Sequence, residues 1–285
     1  SKNVIATIAI GEVYYNEWSK NILPNWKKYC QNNNLGLIVF KNHLISENDP
    51  KWKKPHWQKM LVGREIKKNN LNINSVCWLD TDTLVNPYAP NIFDYYDEKT
   101  IGLVSLRKNL PFNYNLAIKK LAFLRNKFYD SDYPLDSALF MTCKQLYEYH
   151  NLPEQSDEAC GGTIVFNLKN HSHLFEKWFY KYDKNIKGLT PGEQTHLNYE
   201  IQNYGKITWL NYKFQSIWTF EMAMYYPFLY NFGRNDNVLI RECIEACLKN
   251  NFFLHFAGSW HESTMWKIGK FFDSEKKMIY LKDFE

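Results

Sequence analysis

Apolar positions along this 285-residue chain follow two alternating periods, one suited to strands and one to helices. NVIATIAIG (3–11) is a β-branched run closed by Gly and predicts a strand. After it, apolar residues at 18, 22, 23, 26, 29 and 30 mark one helix face, broken or kinked at Pro24. LGLIVF (35–40) predicts a second strand, KPHWQKMLVGREIKKNN (54–70) a helix with Pro55 in its first turn, and SVCWLD (75–80) a third strand. This order implies a parallel sheet with helices on both faces. Further strands are expected at 101–106, 161–168, 206–211 and 252–258, and helices at 114–129, 173–182 and 190–205. No repeat or low-complexity linker interrupts the pattern, so the expectation is one α/β domain.

Composition adds little to that outline. The net charge is +5 with no basic block, which argues against nucleic acid as a partner and suits a phosphate-bearing substrate or an anionic membrane surface. Aromatic residues reach 17%, enough for sugar-stacking surfaces as well as a rich core. The six cysteines include no CxxC pair and read as reduced core thiols, although Cys243 and Cys247, four apart on a helix, have metal-ligand spacing. No apolar run approaches the ~18–20 residues of a membrane span, and no secretory signal is visible. A cytoplasmic location is expected, with the basic and aromatic segment 265–284 suited to peripheral membrane contact. Opening on Ser1-Lys2 without Met, the chain reads as part of a longer protein.

The chemistry concentrates in CWLDTDTLVNP (77–87), where Asp80 and Asp82 stand at the end of an apolar strand. In open α/β sheets ligands bind beyond the carboxyl ends of strands. Two carboxylates there suit Mn²⁺ or Mg²⁺, whose remaining ligands come from phosphate and water. The competing reading is a turn or helix cap, which Asp also favours. Asp130-Ser131-Asp132 has the same spacing after a helical run, so the preceding strand carries most of the signal.

WLDTDTLVNP resembles the D-x-D segment of GT-A glycosyltransferases, particularly the retaining families 8 and 34. ATIAIGEVYYNEWSKNILPNWKKY resembles their first strand and helix, and PHWQKMLVGREI the W-x-K-L helix before D-x-D. GGTIVFNL is similar to their N-x-G-x-x-x-x-N strand, GEQTHLNYEI to their D-Q-x-x-x-N segment and FLHFAGSW to their H-F-x-G motif. The resemblance implies a single GT-A, Rossmann-like domain with a mostly parallel sheet. Its nucleotide-binding half would be about 1–110, its acceptor side about 111–270 and its tail 271–285.

The same resemblance implies that Asp80, Asp82 and His255 hold the cation against the diphosphate of a nucleotide sugar, UDP-linked by expectation. Ala9, Ile10, Gly11, Tyr14 or Tyr15, Lys59, Thr81 and Gly258 would contact that donor. Asp157, Glu158, Gly161, Gly162, Trp260 and His261 would lie near the donor or acceptor sugar. Gln194 and Glu193 would stand beside the anomeric carbon. From the residues alone, Tyr14 and Tyr15 fit packing equally well, Lys59 a solvated position and His255 a core site bonded to backbone. Thr190-Pro191-Gly192-Glu193 reads as a capping box, which explains Glu193 structurally. Gln194, on the inward face, needs another partner.

Two departures from the family pattern stand out. Glu193 replaces an Asp, and no lysine follows Gly258, where Ser259 stands; Lys267 or His261 are the substitutes available. Retention is the expectation; an inverting enzyme would use Asp157 or Glu158 as base. The acceptor, a glycan, glycolipid or glycoprotein, would meet the aromatic segments 107–134 and 212–234, with Trp209, Trp218, Tyr225 and Tyr226 as stacking candidates. The competing classes are a nucleotidyltransferase, for which GEVYYNEW lacks the Gly-rich basic loop, and a non-catalytic carbohydrate-binding protein.

Overall fold

The computed structural model describes residues 2–129, 137–183 and 192–272. Asp130-Ser131-Asp132, Thr190, Pro191 and most of the basic-aromatic tail lie outside the described residues.

The strands are β1 Asn3–Ile8, β2 Gly36–Phe40, β3 Ser75–Leu79, β4 Thr83–Val85, β5 Ile101–Ser105, β6 Ala159–Asn167, β7 Ile207–Trp209, β8 Ser216–Ile217 and β9 Phe253–His255. The helices are α1 Glu12–Asn21, α2 Leu23–Asn32, α3 Pro55–Gln58, α4 Val62–Lys68, α5 Tyr114–Phe128, α6 Ser137–Phe140, α7 Cys143–Tyr149, α8 Leu168–Lys181, α9 Gln194–Tyr204, α10 Trp218–Tyr225 and α11 Asn237–Asn250. Six strands form the main sheet in the order β2-β1-β3-β6-β5-β7. Within it β6 alone pairs antiparallel with its neighbours, so the sheet is mostly parallel, as expected.

Successive residues of the central strands enter different cores. Ile5, Cys77, Leu79 and Val165 join one apolar cluster; Val4, Ala6, Val76, Trp78, Ile164 and Phe166 join the other. Burial on both faces is why these strands read as continuous apolar runs rather than alternating ones. The apolar stripes of the helices supply the two covering layers.

Three local features depart from the sequence expectations. The helix expected over 54–70 is divided by a 3-10 turn at Lys59–Leu61, where three successive side chains are buried, more than one α-helical face provides. Pro24 falls in the first turn of α2, so the expected kink is a junction between two helices at Ile22. A second sheet, β4-β9-β8, was not anticipated: β9 lies within the strand expected at 252–258, but its partners β4 and β8 have only three and two residues.

The six cysteines are free, and Cys243 and Cys247 lie in the core face of α11 rather than in a metal cluster. Trp218 is fully buried, which removes it as a sugar platform; Trp209 and Tyr225 remain partly exposed. Among the described residues no helix is long and apolar enough to cross a membrane.

Candidate metal and donor site

The small sheet explains how residues 173 positions apart meet. Beyond Leu79 the backbone continues its pairing with β6, Asp80 N donating to Gly162 O at 2.9 Å. A tight turn follows, with Thr83 N donating to Asp80 O at 3.1 Å, and the chain enters β4. Strand β4 lies antiparallel to β9 with Thr83 opposite His255, and Phe256 N donates to Asp82 O at 2.9 Å. This register brings His255 Nε2 to 3.1 Å from Asp82 Oδ1 and 3.8 Å from Asp80 Oδ2. One ligand atom from each of the three residues lies within 4.8 Å of the others. The two carboxylates are partly exposed and the imidazole is buried behind them.

Two oxygen donors and one nitrogen donor converging on a small volume fit a divalent cation of the Mn²⁺ or Mg²⁺ type. The electrostatics agree. Burial opposes ionisation of Asp80, but Lys59, His255 and the Trp78 Nε1–H, 2.7 Å away, outweigh it and hold its pKa below the ordinary value. Burial likewise opposes a charged His255, and the Asp82 carboxylate reverses that, lifting its pKa well above 6.5. Without a cation, a proton on His255 offsets the carboxylate charge.

Lys59 is not the solvated lysine its sequence allowed. Its buried Nζ donates to Gly161 O at 2.7 Å and pairs with Glu193 Oε1 at 2.6 Å and Asp80 Oδ1 at 3.1 Å. Burial disfavours its charge, and the two carboxylates more than restore it. The 3-10 turn at Lys59–Leu61 aims the side chain inward. The expected capping box rests on Thr190, which lies outside the described residues; the described helix α9 begins at Gln194, and the Glu193 carboxylate turns to Lys59.

Gln194 joins a second chain of contacts. Its Nε2 donates to Glu158 Oε1 at 2.8 Å, and its Oε1 accepts from Gly161 N at 3.4 Å. Arg107 occupies Glu158 Oε2 from Nε and Nη2, at 3.0 and 2.6 Å. Both glycines of β6 face the site. A Cβ on Gly161 would lie 2.8 Å from Glu193 Oε1, and one on Gly162 would lie 2.4 Å from His255 Cε1 and 2.6 Å from Gln215 Nε2. Gln215 is fully buried beside His255, a residue the sequence reading missed.

A cleft of ≈ 280 Å³ opens over the D-x-D turn, lined by Ile8, Ile10, Tyr14, His56, Trp78 and Asp80–Asp82. Tyr14 shares a 2.6 Å hydrogen bond with Thr81 Oγ1, and its ring meets Trp266 edge-on. Tyr15 instead packs against Trp18, under the Lys41 ammonium. Ala9 is buried, its N donating to Phe40 O at 2.8 Å to prolong the β1–β2 ladder. Gly11, with φ +94, makes the bend into α1. Gly258, with φ +101, turns the chain out of β9 toward the 3-10 segment His261–Ile268. His56 and Trp78 also line this cleft, and neither bears a signal in sequence beyond its neighbours.

Other expected site residues are committed elsewhere. Asp157 is buried, its Oδ1 accepting from Glu158 N at 2.8 Å. Trp260 is buried against Tyr129, with the Arg125 guanidinium 4.1 Å over its ring. His261 Nε2 lies 3.3 Å from Arg234 O, and Lys267 pairs with Glu17 at 2.9 Å.

No family model and no curated protein matches the chain. Solved structures do. A glycosyltransferase involved in glycosylation of the major capsid of PBCV-1 aligns over 92% of this chain and 98% of its own, with 12% identity and a TM-score of 0.50. The WbbM bifunctional glycosyltransferase aligns over 94% of this chain and 50% of its own, with 13% identity and a TM-score of 0.53. At such identities the likeness speaks to architecture, and the chain is built on the GT-A glycosyltransferase fold.

Proposed function

We propose that the protein is a metal-dependent glycosyltransferase. It moves a sugar from a nucleotide sugar, UDP-linked, to a hydroxyl of a glycan or of a glycan-bearing lipid or protein, with retention. The single observation that carries this reading is the convergence of Asp80, Asp82 and the buried His255, with both carboxylates lining a cleft on this fold. A bound Mn²⁺ or Mg²⁺ would neutralise charge building on the departing diphosphate.

The chain's own residues complete the arrangement. Asp80, Asp82 and His255 hold the cation. Ile10 and Tyr14, with Ala9 and Gly11 behind them, form the wall beside which the nucleotide lies. Lys59 and Trp78 fix the Asp80 carboxylate from below. Gln194 presents an amide, oriented by Glu158, on the sugar side of the cleft. Retention is favoured because both Glu158 oxygens already accept hydrogen bonds, from Gln194 and from Arg107. A base for an inverting reaction needs a free, reachable oxygen.

The test is a screen of nucleotide sugars for Mn²⁺-dependent turnover, including slow hydrolysis, comparing wild type with Asp82→Ala. We expect turnover in the wild type alone, with both proteins folded. Thermal stabilisation by free sugars without metal, and none by UDP with Mn²⁺, would favour a carbohydrate-binding protein instead.

A further inference from the structure

The environment of the His255 ring nitrogen facing away from the acids goes beyond this reading and rests on it. For His255 to bind a cation through Nε2, that atom must offer a lone pair toward Asp80 and Asp82. A neutral imidazole carries one proton, so the proton must then sit on Nδ1 and find an acceptor there. Nδ1 points into the protein interior. Its neighbours are the Cys160 Sγ at 3.4 Å, a weak acceptor, and the Gln215 amide at 3.0 Å.

Gln215 reaches Nδ1 through Nε2. In that orientation Nδ1 accepts, the ring proton is forced onto Nε2, and no lone pair faces the carboxylates. The same orientation leaves Gln215 Oε1 buried without a hydrogen-bond partner. A buried acceptor without a donor is uncommon. The two ends of a carboxamide have nearly the same shape, and only hydrogen-bond logic tells them apart. A half-turn about the last side-chain torsion sets Oε1 against Nδ1–H and leaves Nε2 of His255 free to ligate.

The surroundings hold this pair in place. Gln215 ends the 3-10 turn Tyr212–Gln215 and leads into β8, which pairs parallel with β9, placing Ile217 beside His255. Both side chains are buried, and a Cβ at position 162 would overlap both. Gly162 therefore makes room for the amide–imidazole contact itself.

We propose that Gln215 is the positioning residue of the metal site: its Oε1 accepts the Nδ1–H of His255, fixing the tautomer and the ring plane that expose Nε2 to the cation. Ligating histidines commonly donate their second N–H to such a partner, and loss of that partner weakens metal affinity about 10- to 100-fold.

The experiment is Mn²⁺ titration by calorimetry, without donor, of wild type, Gln215→Met and Gln215→Glu. Met keeps the length and volume but has no carbonyl; Glu keeps an acceptor. We expect Gln215→Met to bind Mn²⁺ about 10- to 100-fold more weakly than wild type, and Gln215→Glu to bind at least as tightly as wild type. Equal affinity of wild type and Gln215→Met overturns the proposal, as does a Glu variant as weak as Met, because a purely structural role predicts no rescue by a buried acid. Should Gln215→Met not fold, ¹⁵N-histidine spectra of the wild type bound to diamagnetic Cd²⁺ decide. A His255 signal with the proton on Nδ1 supports the assignment, and a proton on Nε2 overturns it. A wild type that binds no divalent ion refutes the functional reading itself, which distinguishes that failure from a failure of Gln215 alone.

Discussion

Lys59 Nζ lies 2.6 Å from Glu193 Oε1 while also reaching Asp80 Oδ1 at 3.1 Å, so one buried ammonium ties the D-x-D turn to the start of the helix that carries Gln194. The D-x-D turn and the N-terminus of α9 are thus coupled through a single side chain.

Removing that side chain leaves two acids facing each other. Lys59→Met is expected to destabilise the protein by about 3–5 kcal/mol, the usual cost of stranding a buried partner. Glu193→Gln added to Lys59→Met should recover part of the loss, because one of the two stranded charges is gone. Urea unfolding of the two single variants and the double variant measures the coupling. Strict additivity would contradict it.

The glycine pair predicts a ranking. At Gly162 an added methyl collides with the His255 ring, which is held by its strand and by Gln215. At Gly161 it meets the carboxylate end of Glu193 and, at 3.3 Å, Lys59 Nζ, where a side chain has some freedom. Gly162→Ala is therefore expected to abolish Mn²⁺ binding, and Gly161→Ala to weaken it less than tenfold. Calorimetric titration of both variants checks the order.

The pH dependence has two arms of opposite sign. His255 has a folded pKa well above 6.5, through Asp82 overcoming burial. Its pairing stabilises the metal-free protein fully below the unfolded value and is lost as pH rises through the folded one. Asp80 has a lowered folded pKa, so its contribution is present above the ordinary value of 3.8 and disappears as acid takes the pH through the folded value. Metal-free stability should therefore decline on both sides of a mildly acidic plateau, and His255→Asn should remove the alkaline decline. Because a cation must displace the His255 proton, Mn²⁺ affinity should rise with pH. Denaturation and metal titrations across pH measure both effects.

Glu158 offers a test of stereochemical class. With both its oxygens engaged, Glu158→Gln should lower kcat by less than about tenfold and leave the pH profile of kcat/KM unchanged. A base in proton transfer accounts for a factor of about 10²–10⁴, and its removal would also delete one limb of the profile.

How much of this was visible in the residues depended on contact distance along the chain. The D-x-D turn was legible because β3 announces itself as an apolar run and Asp80 follows it directly. His255 interrupts an apolar strand, but from the residues alone it reads as a core histidine, and only the resemblance of FLHFAGSW to the H-F-x-G motif makes it a ligand candidate. The register that joins them was not legible, since β4 and β8, the partners of β9, are too short to show a period. The pairing of Lys59 with Glu193 was not legible for a related reason. A lysine on a helix reads as solvated, and Glu193 three residues after Thr190 reads as a cap, whereas an ion pair across 134 residues leaves no local trace. Trp260 was expected beside a sugar because it follows the H-F-x-G segment; its ring instead packs under Arg125, whose guanidinium is buried with Glu262.

The most direct measurement is an anomalous difference map from crystals grown with Mn²⁺ and UDP. The account predicts one strong peak bounded by Asp80, Asp82 and His255 Nε2, with the diphosphate on its open side. An empty position there, with both carboxylates turned to solvent and the nucleotide bound elsewhere or not at all, would contradict it.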